Sequence, residues 1–200
     1  MSAPLPITLA IDTSRERLQL ALVLADGRVE TEIVEIAKGH AEAIFPAIAV
    51  LMGRSGVSYD ALERIGVATG PGSFTGLRIG LSAARGLGLA LAIPVVGVPS
   101  LLALSLPRPG PSELIVDAKR GEAYRQRFSA PGQPSGPAEL VALDAALAAA
   151  DRAEPDAPLL DIAHLARFAA TAAPLAFPPD PVYIRAADAK PQARAQVALQ

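Results

Sequence analysis

Residues 67–80, Val67-Ala68-Thr69-Gly70-Pro71-Gly72-Ser73-Phe74-Thr75-Gly76-Leu77-Arg78-Ile79-Gly80, constrain the fold more than any other stretch of this chain. The apolar run 65–68 reads as a strand that breaks at Gly-Pro-Gly. A helix rich in small residues is expected over residues 74–91, and a second apolar strand over 94–98. Pro71 sets its own φ, and the glycines beside it admit turns that a Cβ forbids. Unpaired N–H groups at the start of a helix can hold an anion, which makes Gly70, Gly72 and Ser73 candidates for a phosphate or partner contact. The alternative is a tight turn that lets the helix pack closely on its sheet. No Lys-Ser or Lys-Thr follows the glycines, so this is not a Walker loop.

The elements around this loop follow from periodicity. Residues 7–11 are a short apolar strand ending at Asp12-Thr13-Ser14. Leu18, Leu20 and Leu22 alternate with Gln19 and Ala21 in a second strand, and Asp26-Gly27 is a hairpin turn leading to a third strand over 29–36. A helix is expected over 40–53 with Ile44, Ile48, Leu51 and Met52 on one face, kinked or begun at Pro46. The first hundred residues thus read βββαβαβ. Pro107, Pro109, Gly110 and Pro111 form a linker. Beyond it, Leu114-Ile115-Val116-Asp117, a polar turn and a strand over 123–128 repeat the opening pattern of a strand ending in Asp. The expected organisation is two related halves, 1–106 and 107–200. The second half holds a Pro/Gly/Ser loop over 129–137 and a strand over 139–143. Asp144 is expected to cap an alanine-rich helix, and a helix over 158–170 turns Ile162, Leu165, Ala166 and Ala169 inward. An extended piece over 181–185 precedes a polar tail.

Composition removes several chemistries. Half of the residues, 51%, are hydrophobic, only 19% are charged, and the net charge is −2, so nothing in the whole chain marks a nucleic-acid binder. Without cysteine there is no thiolate nucleophile, disulfide or Cys-ligated metal. His40, two residues from Glu42, is read as a surface histidine at a helix start, and His164 as an ion-pair partner of Asp161. Lys119, Arg120, Arg125 and Arg127 read as a solvated basic cluster. No signal peptide or membrane span is visible, and a cytoplasmic protein is expected.

In the helix after the glycine loop, Gly76, Gly80, Ala84 and Gly88 recur every four residues, and leucines and Ile79 fill most of the rest. A helix apolar on nearly all sides needs cover beyond one sheet, from the helix at 40 or from a second protein. The expected association surface is an uncovered apolar strip on the two helices, drawn from Ile44, Ile48, Leu51, Gly76, Ile79, Gly80, Leu81 and Ala84. Gly80→Leu separates two cases: it blocks the partner if Gly80 faces outward, and it unfolds the monomer if Gly80 faces its own sheet.

A duplicated sheet-and-helix fold with an Asp after the first strand of each half resembles the actin/hexokinase/Hsp70 superfamily. There, two hairpin turns face each other across a cleft and hold phosphates and metal, which implies a contact role for Asp12, Thr13, Ser14 and Asp117. Asp12 either serves that role or accepts bonds from turn amides, and for Asp117 the turn role is favoured.

More specifically, Ala10-Ile11-Asp12-Thr13-Ser14, His40-Ala41-Glu42, the Gly70–Gly80 motif, Val95-Val96-Gly97-Val98-Pro99-Ser100-Leu101, Val116-Asp117-Ala118-Lys119-Arg120-Gly121-Glu122-Ala123-Tyr124, and later Pro181-Val182-Tyr183-Ile184-Arg185 with Lys190-Pro191 resemble the TsaB (YeaZ) family. The resemblance implies an actin-like (RNase H-like) α/β fold with a shortened second half. It implies a bacterial accessory protein of tRNA modification that works with TsaD and TsaE. TsaD is the transferase that places a threonylcarbamoyl group on the adenosine 3′ of the anticodon. It further implies no catalytic residue, no metal and no cofactor of the chain's own, with nucleotide only at an interface shared with partners. The chain would be a homodimer when alone and would reach tRNA through the complex. Ser100 and Leu104 stand where TsaD-type proteins carry a His-x-x-x-His metal motif. The family's extra glycine-containing strand, expected between 151 and 158, is not found. The competing reading is an actin-like ATPase or small-molecule kinase using Asp12 and Asp117; a peptidase has no visible nucleophile or metal set.

Overall fold

The computed structural model describes residues 3–149 and 158–185. Strands β1 (Thr8–Arg15), β2 (Arg17–Val23) and β3 (Val29–Val34) form the antiparallel meander that the alternating leucines require. Gly27, at φ 83°, makes the turn between β2 and β3. β4 (Arg64–Gly70) pairs in parallel with β1, and β5 (Val95–Pro99) in parallel with β4, giving the order β3-β2-β1-β4-β5. Parallel neighbours need long crossovers, which α1 (His40–Ser55) and α2 (Phe74–Leu91) supply. Both helices lie on one face, where Leu9, Ile11, Leu18, Leu20, Leu22, Ile65 and Val67 meet Ile44, Ile48, Leu51, Leu81 and Ala84.

A short helix, α3 (Ser100–Ser105), then leads to the second sheet. It was not expected, because all six of its residues are buried and it has no polar face to reveal a period. β6 (Ser112–Lys119) and β7 (Glu122–Ala130) form the predicted hairpin, joined by β8 (Gln133–Pro134) and β9 (Glu139–Ala142). The helix α4 (Leu143–Ala149) begins one residue before Asp144, which therefore lies inside the first turn rather than capping it. Its carboxylate still sits where the helix dipole favours an anion. α5 (Ile162–Thr171) starts later than expected because Asp161 caps it, accepting from the Ala163 and His164 amides at 2.9 and 3.3 Å.

The inward face of α5 is the predicted one, but it does not stay within its own half. Leu165, Ala166 and Ala169 pack with Ala10, Ala21, Val96 and Val98 of the first sheet and with Leu114, Val116 and Phe128 of the second. Alanines on β1 and β2 leave room for an alanine-rich helix, so the two sheets share one core. From α5 the chain passes through a 3-10 turn (Pro174–Ala176) and runs back along the first sheet. The Gly97 amide donates to the Phe177 carbonyl at 2.8 Å, and the Val182 amide to the Thr69 carbonyl at 2.8 Å. The strand sought between 151 and 158 and the polar tail lie outside the described residues. Among the described residues, no helix is long and apolar enough to cross a membrane.

Candidate functional site

The repeated Asp has repeated geometry. Each one sits at a register shift in its hairpin, Asp12 opposite Gln19 and Asp117 opposite Ala123. Each takes the amide two residues ahead: Ser14 N–H donates to Asp12 Oδ1 at 2.9 Å, and Lys119 N–H to Asp117 Oδ1 at 2.6 Å. The two turns line a cleft of about 1010 Å³, with the glycine loop and the start of α1 as its other walls. Asp117 opens onto this cleft, held by the Lys119 ammonium at 2.7 Å, and hydrogen bonds from Lys119 keep its carboxyl below the usual range.

Asp12 is different. It is 1% exposed and does not line the cleft; its second oxygen accepts from Gln19 Nε2 at 3.2 Å. Burial raises its pKa, and the bonds from Ser14 and Gln19 oppose that rise only in part. The turn-acceptor reading of Asp12 fits this geometry, and direct contact with a phosphate does not. In its place the cleft presents Arg15, half-buried, whose guanidinium is lowered in pKa by burial, opposed by the nearby carboxyls of Asp12 and Asp117. His40 is buried rather than superficial, with Nε2 3.0 Å from the Arg15 carbonyl. The far turn is strained: Lys119, Arg120 and Gly121 all have positive φ, at 64°, 60° and 74°. For the two non-glycine residues this costs about 1–2 kcal/mol each.

The glycine loop is a packing device. Ser73 N–H donates to the Ser14 carbonyl at 2.8 Å, and the Ser73 hydroxyl accepts from the Gly76 amide at 3.3 Å, which uses up donors an anion would need. Thr13 Oγ1 donates to the Gly76 carbonyl at 2.7 Å. A Cβ on Gly76 would collide with the Thr13 carbonyl, and one on Gly80 would stand 2.5 Å from Thr13 Oγ1. The small-residue stripe thus seats α2 on β1 and is no outward surface. This corrects the expected partner strip: Ile44, Ile48, Leu51, Gly76, Gly80, Leu81 and Ala84 are all buried within the chain, and only Ile79 is partly open.

What the two helices do leave open is a groove of about 500 Å³ with Ala41, Ile44 and Phe45 on one side and Phe74, Arg78, Ile79 and Ser82 on the other. Phe45 is 50% and Phe74 55% exposed, and the Arg78 guanidinium lies 3.7 Å from the centre of the Phe74 ring. The signal for it was present in the sequence. Two of only five phenylalanines fall off the apolar face of these helices, where a polar residue is the rule.

The basic residues of the second hairpin are paired, Arg125 with Glu139 at 2.7 Å and Arg127 with Glu113 at 2.8 Å. His164 pairs with Asp161 at 3.0 Å as expected. Among the described residues, no group of three His, Cys, Asp or Glu could hold a metal ion.

Comparison with known proteins bears on these features. Residues 34–188 match the family model described as TsaD: tRNA N6-adenosine threonylcarbamoyltransferase. An uncharacterized protein of Mycobacterium leprae is 35% identical over 136 residues, which are 66% of this chain and 38% of that protein's length. The tRNA threonylcarbamoyladenosine biosynthesis protein TsaB of Bacillus subtilis is 34% identical over 163 residues, covering 78% of this chain and 70% of its own. The crystal structure of a Pseudomonas aeruginosa protein, described as uncharacterized with similarity to peptidase YeaZ, superimposes with a TM-score of 0.75 at 27% identity. It covers 90% of this chain and 100% of that one. With the strand order and the paired hairpins, these matches make the fold actin-like (RNase H-like), and the chain belongs to the TsaB (YeaZ) family.

Proposed function

We propose that this chain is a non-catalytic scaffold subunit of the machinery that makes threonylcarbamoyladenosine in tRNA, docking on a TsaD-type transferase through the α1/α2 groove. The observation that carries this reading is the groove itself. Its floor is apolar, two half-exposed phenylalanines rim it, and an arginine is stacked on one of them. Aromatic residues and arginine are what association surfaces are enriched in. The name of the Bacillus subtilis relative supports the pathway. The absence of chemistry of its own is supported by how the candidate groups are engaged: His40 on a backbone oxygen, His164 on Asp161, Asp12 enclosed, Asp117 on Lys119. In this reading TsaE joins the same assembly, a nucleotide sits only where partners meet, tRNA is reached through the complex, and without TsaD the groove pairs with its own copy.

Calorimetric titration with the TsaD protein of the same organism tests the reading. Phe45→Glu and Phe74→Glu, both on open surface, should each weaken binding by about 30-fold or more, the size of a hot-spot loss of about 2 kcal/mol. Unchanged affinity in both would refute the groove. The cleft of about 1010 Å³, with Asp117 on its wall, favours a second reading, an actin-like ATPase or small-molecule kinase using Asp12 and Asp117, against which the enclosure of Asp12 counts. Phosphate release from ATP by the purified chain, abolished in Asp12→Ala, would replace the scaffold with that enzyme.

A further inference from the structure

The segment 174–185 runs from the first sheet past α2 and Phe74 to the second hairpin turn. Its early part is fastened to β4 and β5 through the Phe177 carbonyl and the Val182 amide. Arg85, in the middle of α2, holds it at the Pro179 carbonyl and at Asp180 Oδ1, at 2.5 and 2.6 Å. Tyr183 lies against Phe74, with ring centres 6.0 Å apart, and Phe74 is also a wall of the α1/α2 groove. Two residues later, Arg185 reaches the second hairpin turn. Its Nη2 donates to the carbonyls of Ala118 and Lys119 at 3.0 and 3.2 Å and to Glu122 Oε2 at 2.5 Å. That turn is the one with three successive left-handed residues, and Asp117, Ala118 and Lys119 line the cleft.

A strained turn persists only where its surroundings hold it. Asp117 holds the Lys119 end of the turn and the Leu143 amide holds the Gly121 carbonyl; the guanidinium of Arg185, bridging two carbonyls and a carboxylate at the base, is the clamp that comes from outside the second sheet. The position of the clamp is set by a strap whose last fixed point is the Val182 amide and whose next side chain rests on Phe74. We infer that residues 174–185 are a mechanical link, through which a protein docked in the α1/α2 groove tightens the Asp117–Glu122 turn on the far wall of the cleft. This rests on the docking reading above. A partner that covers Phe74 presses its ring on Tyr183, holds the strap, and so steadies the grip of Arg185. Turn and groove are far apart in sequence from residue 74 to residue 119, yet only Tyr183, Ile184 and Arg185 separate them along the strap. Transmission of this kind needs an element with two arrangements that both sites bias; in this proposal the turn is that element, and the exchange experiment reads its second arrangement.

Hydrogen exchange read by mass spectrometry at residues 118–123 tests the link, in the whole chain, with and without the TsaD protein of the same organism. In the wild type, bound partner should slow exchange there threefold or more. In Tyr183→Ala, partner should still bind, but the turn should no longer respond; Tyr183→Phe, which keeps the ring, should restore the response. In the free protein, Arg185→Ala and Phe74→Ala should each speed exchange at the turn, with melting temperature as the control for global unfolding. Wild type that binds partner with no change at the turn, or a full response in Tyr183→Ala, would overturn the link while leaving the docking reading intact. Failure of the wild type to bind at all would overturn the docking reading, and unchanged turn exchange in Phe74→Ala would then refute the link by itself.

Discussion

Replacing Gly80 and Gly86 by alanine separates two uses of glycine on one helix. A Cβ on Gly80 would stand 2.5 Å from Thr13 Oγ1, while Ile11 and Val67 methyls stay at an ordinary 3.7 Å. Thr13 is buried and its hydroxyl is committed to the Gly76 carbonyl at 2.7 Å, so it cannot turn aside without losing that bond. Overpacking costs about 1–3 kcal/mol, and a broken buried hydrogen bond costs about 1 kcal/mol more. The change from glycine to alanine within a helix returns about 1 kcal/mol. The net expectation is a loss of about 2 kcal/mol, which for a chain of this size lowers Tm by about 4–8 °C. At Gly86 a Cβ meets nothing within 4 Å, so only the helix gain remains and Tm should rise by about 2–4 °C. Scanning calorimetry on the three proteins decides it. A Gly80→Ala protein as stable as wild type, or a Gly86→Ala protein less stable, would refute the seating of α2 on β1. By the same geometry, Gly80→Leu should unfold the monomer and not merely block a partner.

Asp12→Asn tests the enclosed carboxylate. Its folded pKa is raised by burial, so the folded state holds the proton more tightly. The resulting stability is present below the unfolded value near 3.8 and is lost as pH rises through the folded value. Urea melts of the wild type should therefore show this group's contribution declining from pH 4 upward. The asparagine variant should lack that decline, and an identical pH profile in both would exclude a shifted Asp12. Gly97→Ala should dislodge the strap, because a Cβ there falls on the Pro178 carbonyl and within 2.8 Å of Pro179 Cα. Limited proteolysis should then cut within 177–185 many times faster than in the wild type, and equal rates would show that the strap is held elsewhere. Arg64 donates to the carbonyls of Ala169 and Ala172 at 2.9 and 2.6 Å, satisfying the end of α5. Arg64→Ala should cost about 1–3 kcal/mol in denaturant melts, and a loss under 0.5 kcal/mol would mean that water replaces it.

The local plan of this chain is written in local signals. Leucines with period two place β2, Asp26-Gly27 turns it, Ser73 and the glycines start α2 at Phe74, and the same Asp-ended hairpin appears twice. Such features depend on neighbours a few residues away, and propensity and periodicity report them directly. Motif order carried the family in the same way. Other features depend on residues brought together from far along the chain. A helix of glycine and leucine looks alike whether its small face meets its own sheet or another protein. Only the approach of Thr13 to Gly76 and Gly80 decides for the sheet and moves the open surface to Phe45 and Phe74. The cover of the first sheet by α5 had no local sign, because alanines that invite a helix do not say which helix comes. The same is true of Arg15 in the cleft and Arg185 beneath the turn, whose roles arise from where the backbone carries their guanidinium groups. The sequence by itself determined most of the strands, helices and turns, because those choices are made within a turn or two of backbone; the fully buried α3 and the two-residue β8 escaped it for want of a period. Tertiary structure alone decided which face of each is spent on the core and which is left open, because that depends on what packs there from elsewhere in the chain.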